Sequence, residues 1–428
     1  MRNISIEFGI REVPGVAGRL DAYVKGSKVS VIVNFGVLQD PRFFERFVYR
    51  RKPVDVPYLM SRICGVCSVV HLTCSTLAVE KALGLKHDEK ILVVREIAKG
   101  MEIIQNNLVH VLMCVSDFTE ARNVVDFSKK YPKLFNRMLG LNSEVLNIYK
   151  RIGGRFIHTP SIGATYNGKP IYKAELLSIG TKLERLSDQF YDLANNLANI
   201  WKPIIPEFKD TAPKYCVLGG GSYPLFSDKL YFSDGAVIPV EDYQKYIEEK
   251  MNKYSNAKYT LYKGKPFYTG SRARLEAYYT ELSNKARDAV KLLDIDFKNP
   301  FENVKAQLVE IIHMSSMLSK MALELTESTE DKISPVYIVD SDEISGEGVS
   351  AATAPRGVLI HHYKILEGKM VYANVITPTV MNARHIEVNG SKLIEELLSS
   401  GHTDETFLKK ALSALLRAYD PCLPCAVH

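Results

Sequence analysis

The sequence predicts a mainly α-helical fold with small peripheral β-sheets, of the α+β class, built around a core bundle of long helices. Two patterns predict it: apolar residues recur at helical spacing through the middle of the chain, and short alternating segments lie near both ends. The length of 428 residues suits a large buried core, and we expect residues 1–428 to form a single body. With 46% hydrophobic and 24% charged residues, the composition is that of a globular protein rather than a disordered or fibrous one.

Residues 1–50 form the predicted N-terminal β region. The segments ISIEF, RLDAYV and KVSVIVNF read as extended structure, and the latter two flank Lys25-Gly26-Ser27, a sequence typical of a hairpin turn.

The predicted helical bundle covers residues 72–330. From Leu176 to Ile200, apolar residues recur at alternating spacings of 3 and 4, which indicates a long amphipathic helix. Broader apolar faces run through 89–115 and 301–325. A two-stranded coiled coil is the alternative, but no single heptad seam persists. Three prolines and a glycine run predict a loop region over 202–235, and that run lacks the following Lys-Ser/Thr of a phosphate-binding loop.

Residues 335–390 are predicted to be a β-hairpin region, and residues 391–428 a C-terminal helix with a cysteine motif. An irregular acidic stretch is expected over 335–355. After it, VLIHHYKI and MVYANVI flank a turn at Glu367-Gly368. The final helix is expected at 404–418.

Charge and hydropathy exclude several classes of function. The net charge is only +6, and the densest basic cluster, Arg50-Arg51-Lys52, lacks interleaved aromatic residues, so a nucleic-acid ligand is not expected. No apolar run approaches the roughly 20 residues of a membrane span, and the charged N-terminus does not resemble a signal peptide. We therefore expect a cytoplasmic chain without a transmembrane segment, while export or membrane association through a partner stays open.

Four of the seven cysteines form two Cys-x-x-Cys pairs, Cys64/Cys67 and Cys422/Cys425. The remaining cysteines, at 74, 114 and 216, are expected to be small buried hydrophobic residues. So few cysteines, in an odd number, do not suit a disulfide framework. Two such pairs supply four sulfur ligands for a metal, and on this pattern alone a structural zinc site is the simplest interpretation.

The flanks of both pairs carry a more specific signal. Residues 62–71 read R-x-C-G-x-C-x-x-x-H, and residues 420–428 read D-P-C-x-x-C-x-x-H. In both halves the chain resembles the large, catalytic subunits of nickel-iron hydrogenases. Five further segments are similar to motifs of that family: Asp40–Glu45, Gly153–His158, Tyr262–Pro266, Ala354–Gly357 and Thr377–Thr379. The fold implied by the resemblance is a mainly helical body around a long bundle, with small peripheral sheets.

The resemblance implies a two-metal centre. Cys64 and Cys422 would be terminal nickel ligands, while Cys67 and Cys425 would bridge the nickel to an iron that carries carbon monoxide and two cyanides. Soft thiolates suit a nickel that changes oxidation state. Cys422 would also be the first acceptor of the proton released from dihydrogen.

Further residues are expected around this centre. By the resemblance, Arg356 would direct its guanidinium toward the open site and the cyanides, with Pro355 and Thr379 helping to hold these ligands, because buried anionic groups need donors. His71 could donate to a bridging sulfur and so orient it.

Charged residues complete the predicted site. Arg62 and Asp420 are expected to form a charged pair beside the metals. Asp117 resembles a further aspartate of the site, although its spacing is one residue short, which turns a helical side chain by about 100°. Glu45 and His428 resemble the ligands of a magnesium ion that anchors the C-terminus. The chain ends three residues after Cys425, as expected of a processed mature form or of a natural version without an extension.

The sequence departs from the family where a glutamate usually relays the proton. The matching N-terminal position holds Ala17, or Pro14 in a second alignment, and the glutamate that often precedes A-P-R-G is Thr353. Glu12, a water chain, or Thr353 acting with Arg356 are the substitutes we consider.

We therefore expect the catalytic subunit of a hydrogenase that oxidises dihydrogen or reduces protons. The chain has no second set of cysteines for iron-sulfur clusters, so the electrons must leave through a small iron-sulfur subunit, with further electron-transfer subunits compatible. Two alternatives remain: a metal-free electron-coupling scaffold related to a respiratory complex I subunit, which lacks the cysteines, and a structural zinc protein. The electron acceptor is expected to be set by other subunits, and the sequence carries no signal for the catalytic direction, the oxygen tolerance or the oligomeric state.

Overall fold

The structure, a computed structural model, describes residues 2–9, 16–25, 28–86, 89–162, 170–203, 205, 207–210, 214–334 and 344–428, with the backbone alone before residue 30. Glu12, the turn residues Gly26 and Ser27, and most of the acidic stretch, 335–343, lie outside the described residues.

Five of the described helices have more than 20 residues. The helices are α1 (Phe44–Phe47), α2 (Val56–Met60), α3 (Ser68–Ala82), α4 (Glu89–Met113), α5 (Val115–Phe118), α6 (Val124–Lys130), α7 (Pro132–Gly153), α8 (Lys173–Ala198), α9 (Ser271–Ala277), α10 (Asn284–Leu292), α11 (Asn303–Ser328), α12 (Pro378–Ser399), α13 (Glu405–Ala418) and α14 (Leu423–Ala426).

The described strands are mostly short. They are β1 (Arg2–Gly9), β2 (Val16–Lys25), β3 (Lys28–Val37), β4 (Ile171–Tyr172), β5 (Cys216–Leu218), β6 (Phe226–Ser227), β7 (Lys229–Phe232), β8 (Val237–Pro239), β9 (Ile247–Met251), β10 (Lys258–Tyr262), β11 (Lys332–Ile333), β12 (Gly346–Ala354), β13 (Gly357–Leu366) and β14 (Lys369–Ile376).

The core is a bundle of long helices, as predicted. Helix α8 packs along α11, α11 packs against α4, and α4 packs against α7. The predicted apolar repeat forms the buried face of α8, and its buried members are Leu176, Ile179, Leu183, Leu186, Phe190, Leu193 and Leu197. The predicted faces at 89–115 and 301–325 correspond to α4 and α11, whose buried residues join the same hydrophobic cluster. Burial of these faces holds the bundle together, because apolar contact between helices is the main favourable term.

Small antiparallel sheets surround the bundle. The predicted N-terminal strands form a three-stranded sheet in the order β1-β2-β3, with Lys25 paired to Lys28. The predicted hairpin is β13 and β14, and both turn residues have positive φ, 48° at Glu367 and 66° at Gly368, which suits the turns that match strand twist. The final helix, α13, lies where it was expected.

The prediction of an irregular segment was wrong for 346–354, which form strand β12. Its sequence GEGVSAATA is poor in residues typical of strands, so pairing with β13 and packing against α3 decide its structure. A Cβ at Gly348 would lie 2.1 Å from the carbonyl oxygen of Ala78, and only glycine permits this contact.

Two other expectations were wrong in the same way. Helix α12 crosses the expected end of the β-hairpin region at residue 390; its Pro378 stands at the first helical turn, where proline is tolerated. The expected loop at 202–235 contains β5, β6 and β7, whose two to four residues are too short to show a periodic pattern.

None of the helices in the described part of the chain is both long enough and apolar enough to cross a membrane.

Candidate metal centre

Four cysteines from the two ends of the chain meet at one buried point. The Sγ atoms of Cys64, Cys67, Cys422 and Cys425 all lie within 4.8 Å of one another. Cys64 follows a 3-10 turn and Cys67 precedes the first residue of α3; Cys422 precedes α14, which contains Cys425. Such a cluster of buried sulfurs is suited to hold metal.

The side chain of Arg42 ties the two cysteine motifs together. Its guanidinium donates to the carbonyl oxygens of Ile63 and Pro424, each of which immediately precedes a cysteine of the cluster. The backbone N–H of Arg42 donates to the carbonyl oxygen of Val427 at 2.9 Å. One residue of the predicted Asp40–Glu45 motif therefore connects the head and tail of the chain.

The cysteines are arranged in contacts that favour partial deprotonation. Sγ of Cys64 lies 3.4 Å from Sγ of Cys422, and Sγ of Cys67 lies 3.1 Å from Sγ of Cys425. A hydrogen bond with the Cys67 thiol and the nearby charge of Arg356 lower the pKa of Cys64 to about 6, although burial acts in the opposite direction. The same bond, together with burial, raises the pKa of Cys67. Of these two cysteines, Cys64 is therefore the one whose thiolate is favoured.

Arg356 places a buried cation beside these sulfurs. Its Nη2 lies 3.0 Å from Oδ1 of Asp420, and its Nη1 donates to Oδ1 of Asn106 at 3.2 Å. Burial lowers the pKa of Arg356, but the charges of Asp420, Cys67 and Cys64 outweigh this effect and raise it. Its Nε is buried and has no hydrogen-bond partner among the described residues, so a donor remains for a bound group.

A second buried arginine holds the loop that carries Arg356. Arg274 donates to the carbonyl oxygens of Ala354 at 3.1 Å and Pro355 at 3.0 Å. Its own charge is balanced by Glu310 on α11, with Nε to Oε1 at 2.6 Å. Gly357 follows with a φ of 137°, and a Cβ there would overlap Thr269. These contacts leave the loop little freedom, which keeps the guanidinium in place.

His71 lies in a buried chain of polar side chains. Its Nδ1 is 3.1 Å from Nε2 of His361, whose Nδ1 is 2.5 Å from the hydroxyl of Tyr363. That hydroxyl is 2.8 Å from the hydroxyl of Ser75. Burial lowers the pKa of His71 to about 3, so the imidazole is neutral at pH 7.

Glu45 and His428 face each other at the C-terminus. Nε2 of His428 lies 3.5 Å from Oε1 of Glu45, and that oxygen accepts the N–H of Val375 at 2.8 Å. Burial tends to raise the pKa of Glu45, but His428 and Lys258 outweigh this effect and lower it. Nζ of Lys258 lies 3.9 Å from the other carboxylate oxygen. The predicted magnesium ligands are therefore neighbours, with a lysine cation close by.

Comparison with known proteins identifies the family. The sequence profile described as nickel-dependent hydrogenase matches residues 42–145 and 225–428. The chain belongs to the nickel-dependent hydrogenase family.

The chain matches hydrogenase subunits over nearly the whole length of both sequences. The chain is 30% identical to the sulfhydrogenase 2 subunit alpha of Pyrococcus furiosus, over 95% of this chain and 93% of that one. It is 28% identical to the sulfhydrogenase 1 subunit alpha of the same organism, over 100% and 99%. The catalytic, large-subunit assignment made from the sequence motifs is confirmed, and so is the hydrogenase activity it implies.

The fold is also that of solved hydrogenases. An NAD+-reducing nickel-iron hydrogenase in the H2-reduced state matches with a TM-score of 0.81 at 20% identity, covering 100% of both chains. The nickel-iron-selenium hydrogenase of Desulfomicrobium baculatum matches with a TM-score of 0.76 at 19% identity, also covering 100% of both. The predicted fold class, mainly α with small sheets, is confirmed.

In this hydrogenase subunit, the expected Arg62–Asp420 pair is wrong. Arg62 is exposed and lies within electrostatic range of His158. Asp420 is buried and pairs with Arg356. Asp420 adopts a φ of 49°, a left-handed conformation that aspartate tolerates. In the folded chain the carboxylate of Asp420 therefore faces Arg356 beside the cysteine cluster, and Arg62 is exposed to solvent.

Asp117 reaches the site less directly than expected. It forms two hydrogen bonds with Arg417, at 2.8 and 2.7 Å. It shares with Arg356 and Asp420 the lining of a cavity of about 660 Å³, which also includes His110. Asp117 is therefore near the site, but its charge is paired elsewhere.

The two expected threonines have well-defined partners. The hydroxyl of Thr379 accepts the N–H of Cys422 at 2.8 Å, which positions one cysteine of the cluster. The hydroxyl of Thr353 donates to the carbonyl oxygen of Pro224 at 2.8 Å, and this contact directs it away from a role beside Arg356.

Several site residues were missed from sequence. Gln307 donates to Oδ2 of Asp420 at 3.2 Å, while Arg274 and Glu310 support the arginine loop. Glu102 accepts the N–H groups of Val69 and Val70. A signal did exist, since charged residues occur inside the apolar faces of α4 and α11, and buried charges are usually paired or functional.

Proposed function

We propose that this subunit cleaves dihydrogen heterolytically, or forms it from protons, at a nickel-iron centre held by the four cysteines. In this assignment Cys64 and Cys422 would be terminal nickel ligands, and Cys67 and Cys425 would be shared between nickel and an iron that carries carbon monoxide and two cyanides. The observation that carries the proposal is the meeting of four buried sulfurs within 4.8 Å, from motifs at opposite ends of the chain.

The surroundings favour this centre over a structural zinc ion. Four thiolates alone satisfy zinc. Here the largely buried guanidinium of Arg356, 13% exposed, faces the cluster, and its Nε lacks a partner among the described residues. Cyanide ligands would supply acceptors for such a donor. A metal-free scaffold is disfavoured because it has no use for four converging cysteines.

When bound, the centre supplies the redox chemistry and the electron-pair acceptor for heterolytic cleavage. The chain supplies the rest. Arg356 presents donors and positive charge in a buried setting, where electrostatic stabilisation is strong. The thiolate of Cys422 accepts the proton, and Thr379 orients that residue through its backbone N–H. His71 is neutral, and its Nε2 could donate to a bridging sulfur.

Electrons leave, in this proposal, to a small iron-sulfur subunit. The relatives are named as subunits of larger enzymes. The loop between the first two cysteines reaches the surface, where Val66 is 50% exposed and Ile157 beside it is 41% exposed. A partner can therefore approach the centre closely at this apolar surface. In this proposal the assembly is cytoplasmic, and further electron-transfer subunits are compatible with it.

A magnesium ion between Glu45 and His428 is the last part of the proposal. The two side chains are 3.5 Å apart and lie on a cavity of about 320 Å³. Magnesium retains water ligands, which this space can hold.

Metal analysis combined with infrared spectroscopy tests the proposal. We expect nickel, iron and magnesium, with bands of metal-bound carbon monoxide and cyanide. Cys67→Ser should abolish nickel and the bands, whereas Cys216→Ser, at a buried cysteine of another core cluster, should retain both. Zinc alone, or a protein without metal, would overturn the proposal.

A further inference from the structure

Helix α4 carries three ionisable side chains in a row toward the metal centre. Glu96, Lys99 and Glu102 follow one another at intervals of three residues, a spacing that places side chains on one face of a helix. Glu96 is half-buried, while Lys99 is 0% exposed and Glu102 is 2% exposed. Buried ionisable groups without a full ion pair are costly, so their presence calls for a functional explanation.

The inner end of the row is fixed beside the cysteines. The two carboxylate oxygens of Glu102 accept the N–H groups of Val69 and Val70, at 2.8 and 2.9 Å. These residues form the first turn of α3, directly after Cys67. One turn further along α4, Asn106 accepts from Arg356 and donates to the carbonyl oxygen of Val66.

The groups facing Glu102 come from several elements. Its carboxylate is within electrostatic range of Cys64 and of Arg356, and Tyr149 of α7 lies against it. Glu102 is therefore located between the cluster, its arginine and the bundle interior.

The middle of the row is a lysine in an apolar setting. Nζ of Lys99 donates to the carbonyl oxygen of Leu225 and lies 3.1 Å from the ring centre of Phe226. Cys74 and both glutamates of the row lie within electrostatic range of it. A lysine so placed exchanges a proton more readily than one in water.

Burial shifts the proton affinities of the three groups in directions that bring those of carboxyl and amine closer together. Burial raises the pKa of Glu102 to about 8 and raises that of Glu96. Burial also lowers the pKa of Lys99 well below its ordinary value. A raised carboxyl pKa and a lowered lysine pKa reduce the difference in proton affinity between the two groups, which lowers the cost of passing a proton from one to the other.

We propose that Glu102, Lys99 and Glu96 carry the proton released at the metal centre to the surface of the bundle. The inference rests on the proposed function. Each step moves one proton and no electrons. An S–H bond at the cysteine cluster breaks as an O–H bond forms on the deprotonated Glu102 carboxylate, and that O–H bond breaks as an N–H bond forms on Lys99 in its neutral form. The N–H bond in turn breaks as an O–H bond forms on Glu96, which then passes its proton to solvent water. The row would replace the N-terminal relay glutamate of the family, because Ala17 and Pro14, the residues at the matching positions, have no ionisable side chain.

Dihydrogen/deuterium exchange by the metal-loaded subunit with its partner tests the relay. Glu102→Gln and Lys99→Met should each slow exchange about 100-fold, and Glu96→Gln about 10-fold, with nickel content and carbon monoxide and cyanide bands unchanged. Glu89→Gln, at an exposed carboxylate in the first turn of α4, should exchange at the wild-type rate. Wild-type exchange in any of the three row variants would overturn the proposal.

A second measurement does not depend on turnover. Infrared titration of the metal-free protein should show a buried carboxylic acid that loses its proton above pH 7 and is missing in Glu102→Gln. A protein in which that band is absent at pH 7 would overturn the proposal. Wild-type protein lacking nickel, iron and exchange would instead contradict the hydrogenase assignment, so the two failures are distinguishable. If Glu102→Gln does not fold, Glu96→Gln on the half-buried end of the row decides the question.

Discussion

Arg356 and Asp420 form a buried ion pair, 3.0 Å between Nη2 and Oδ1, beside the four cysteines. The pair joins the A-P-R-G loop to the second cysteine motif, because Asp420 lies two residues before Cys422. Gln307 of α11 donates to the other carboxylate oxygen at 3.2 Å, so the bundle also fixes this pair. The orientation of the guanidinium therefore depends on three distant segments.

We expect Arg356→Lys to reduce dihydrogen/deuterium exchange about 100-fold without loss of nickel. A lysine ammonium is a point charge and cannot contact Asp420 and Asn106 with a planar fork, so a donor directed at the centre is lost. Arg185→Lys, in an exposed ion pair with Glu144, is the matched control and should behave as wild type. Full exchange in Arg356→Lys would contradict the role assigned to the guanidinium.

Glu310→Gln should lower the free energy of unfolding by about 3 to 5 kcal/mol, because it leaves the Arg274 charge buried and uncompensated. Urea denaturation measures this change. Glu324→Gln on the same helix removes an exposed partner of Lys320, 3.7 Å away, and should cost less than about 1 kcal/mol. If both substitutions changed the free energy of unfolding equally, the buried pair of Arg274 and Glu310 would contribute no more to stability than an exposed pair.

Ile157→Asp should weaken binding of the iron-sulfur subunit, because a charge replaces an apolar contact beside the Cys64–Cys67 loop. Co-purification and hydrogen-driven dye reduction should fall, while exchange at the centre continues. Leu177→Asp introduces the same charge at an exposed position of α8, 52% accessible, and should change neither. Partner binding that survives Ile157→Asp would place the interface elsewhere.

The pH dependence of stability should include His313. Burial lowers the pKa of His313 to about 4, whereas the unfolded chain has the ordinary value of 6.5. The contribution of His313 to the free energy of unfolding is therefore fully present above pH 6.5. It is lost as the pH drops toward 4, because the unfolded state binds the additional proton. Between pH 7 and 5 this loss amounts to about 2 kcal/mol.

His313→Asn isolates this effect in urea denaturation at both pH values. Nδ1 of His313 accepts the N–H of Ser283 at 3.1 Å, and an asparagine oxygen can accept the same bond. The variant should lose about 2 kcal/mol less than wild type between pH 7 and 5. An unchanged pH dependence would mean that His313 is not the neutral buried group described here.

The long helices and the ligand set were predictable from sequence because their signals are local. The repeat in α8 is complete within 25 residues, and the spacing of each cysteine pair already specifies a shared metal. Strand β12 and helix α12 were not predicted, since packing against α3 and a proline at a helix start override local preference.

The sequence by itself determined the class of the protein, through two cysteine motifs whose residue types and spacing are suited to one kind of centre. Only the tertiary structure decided which groups surround that centre. Arg356 rather than Arg62 pairs with Asp420, and the carboxylate of Glu102, a residue of α4, accepts a backbone N–H at the start of α3. The physical reason is that residue spacing acts over a few positions. The partner of a buried charge is instead chosen by packing between segments that are tens of residues apart or more in the sequence.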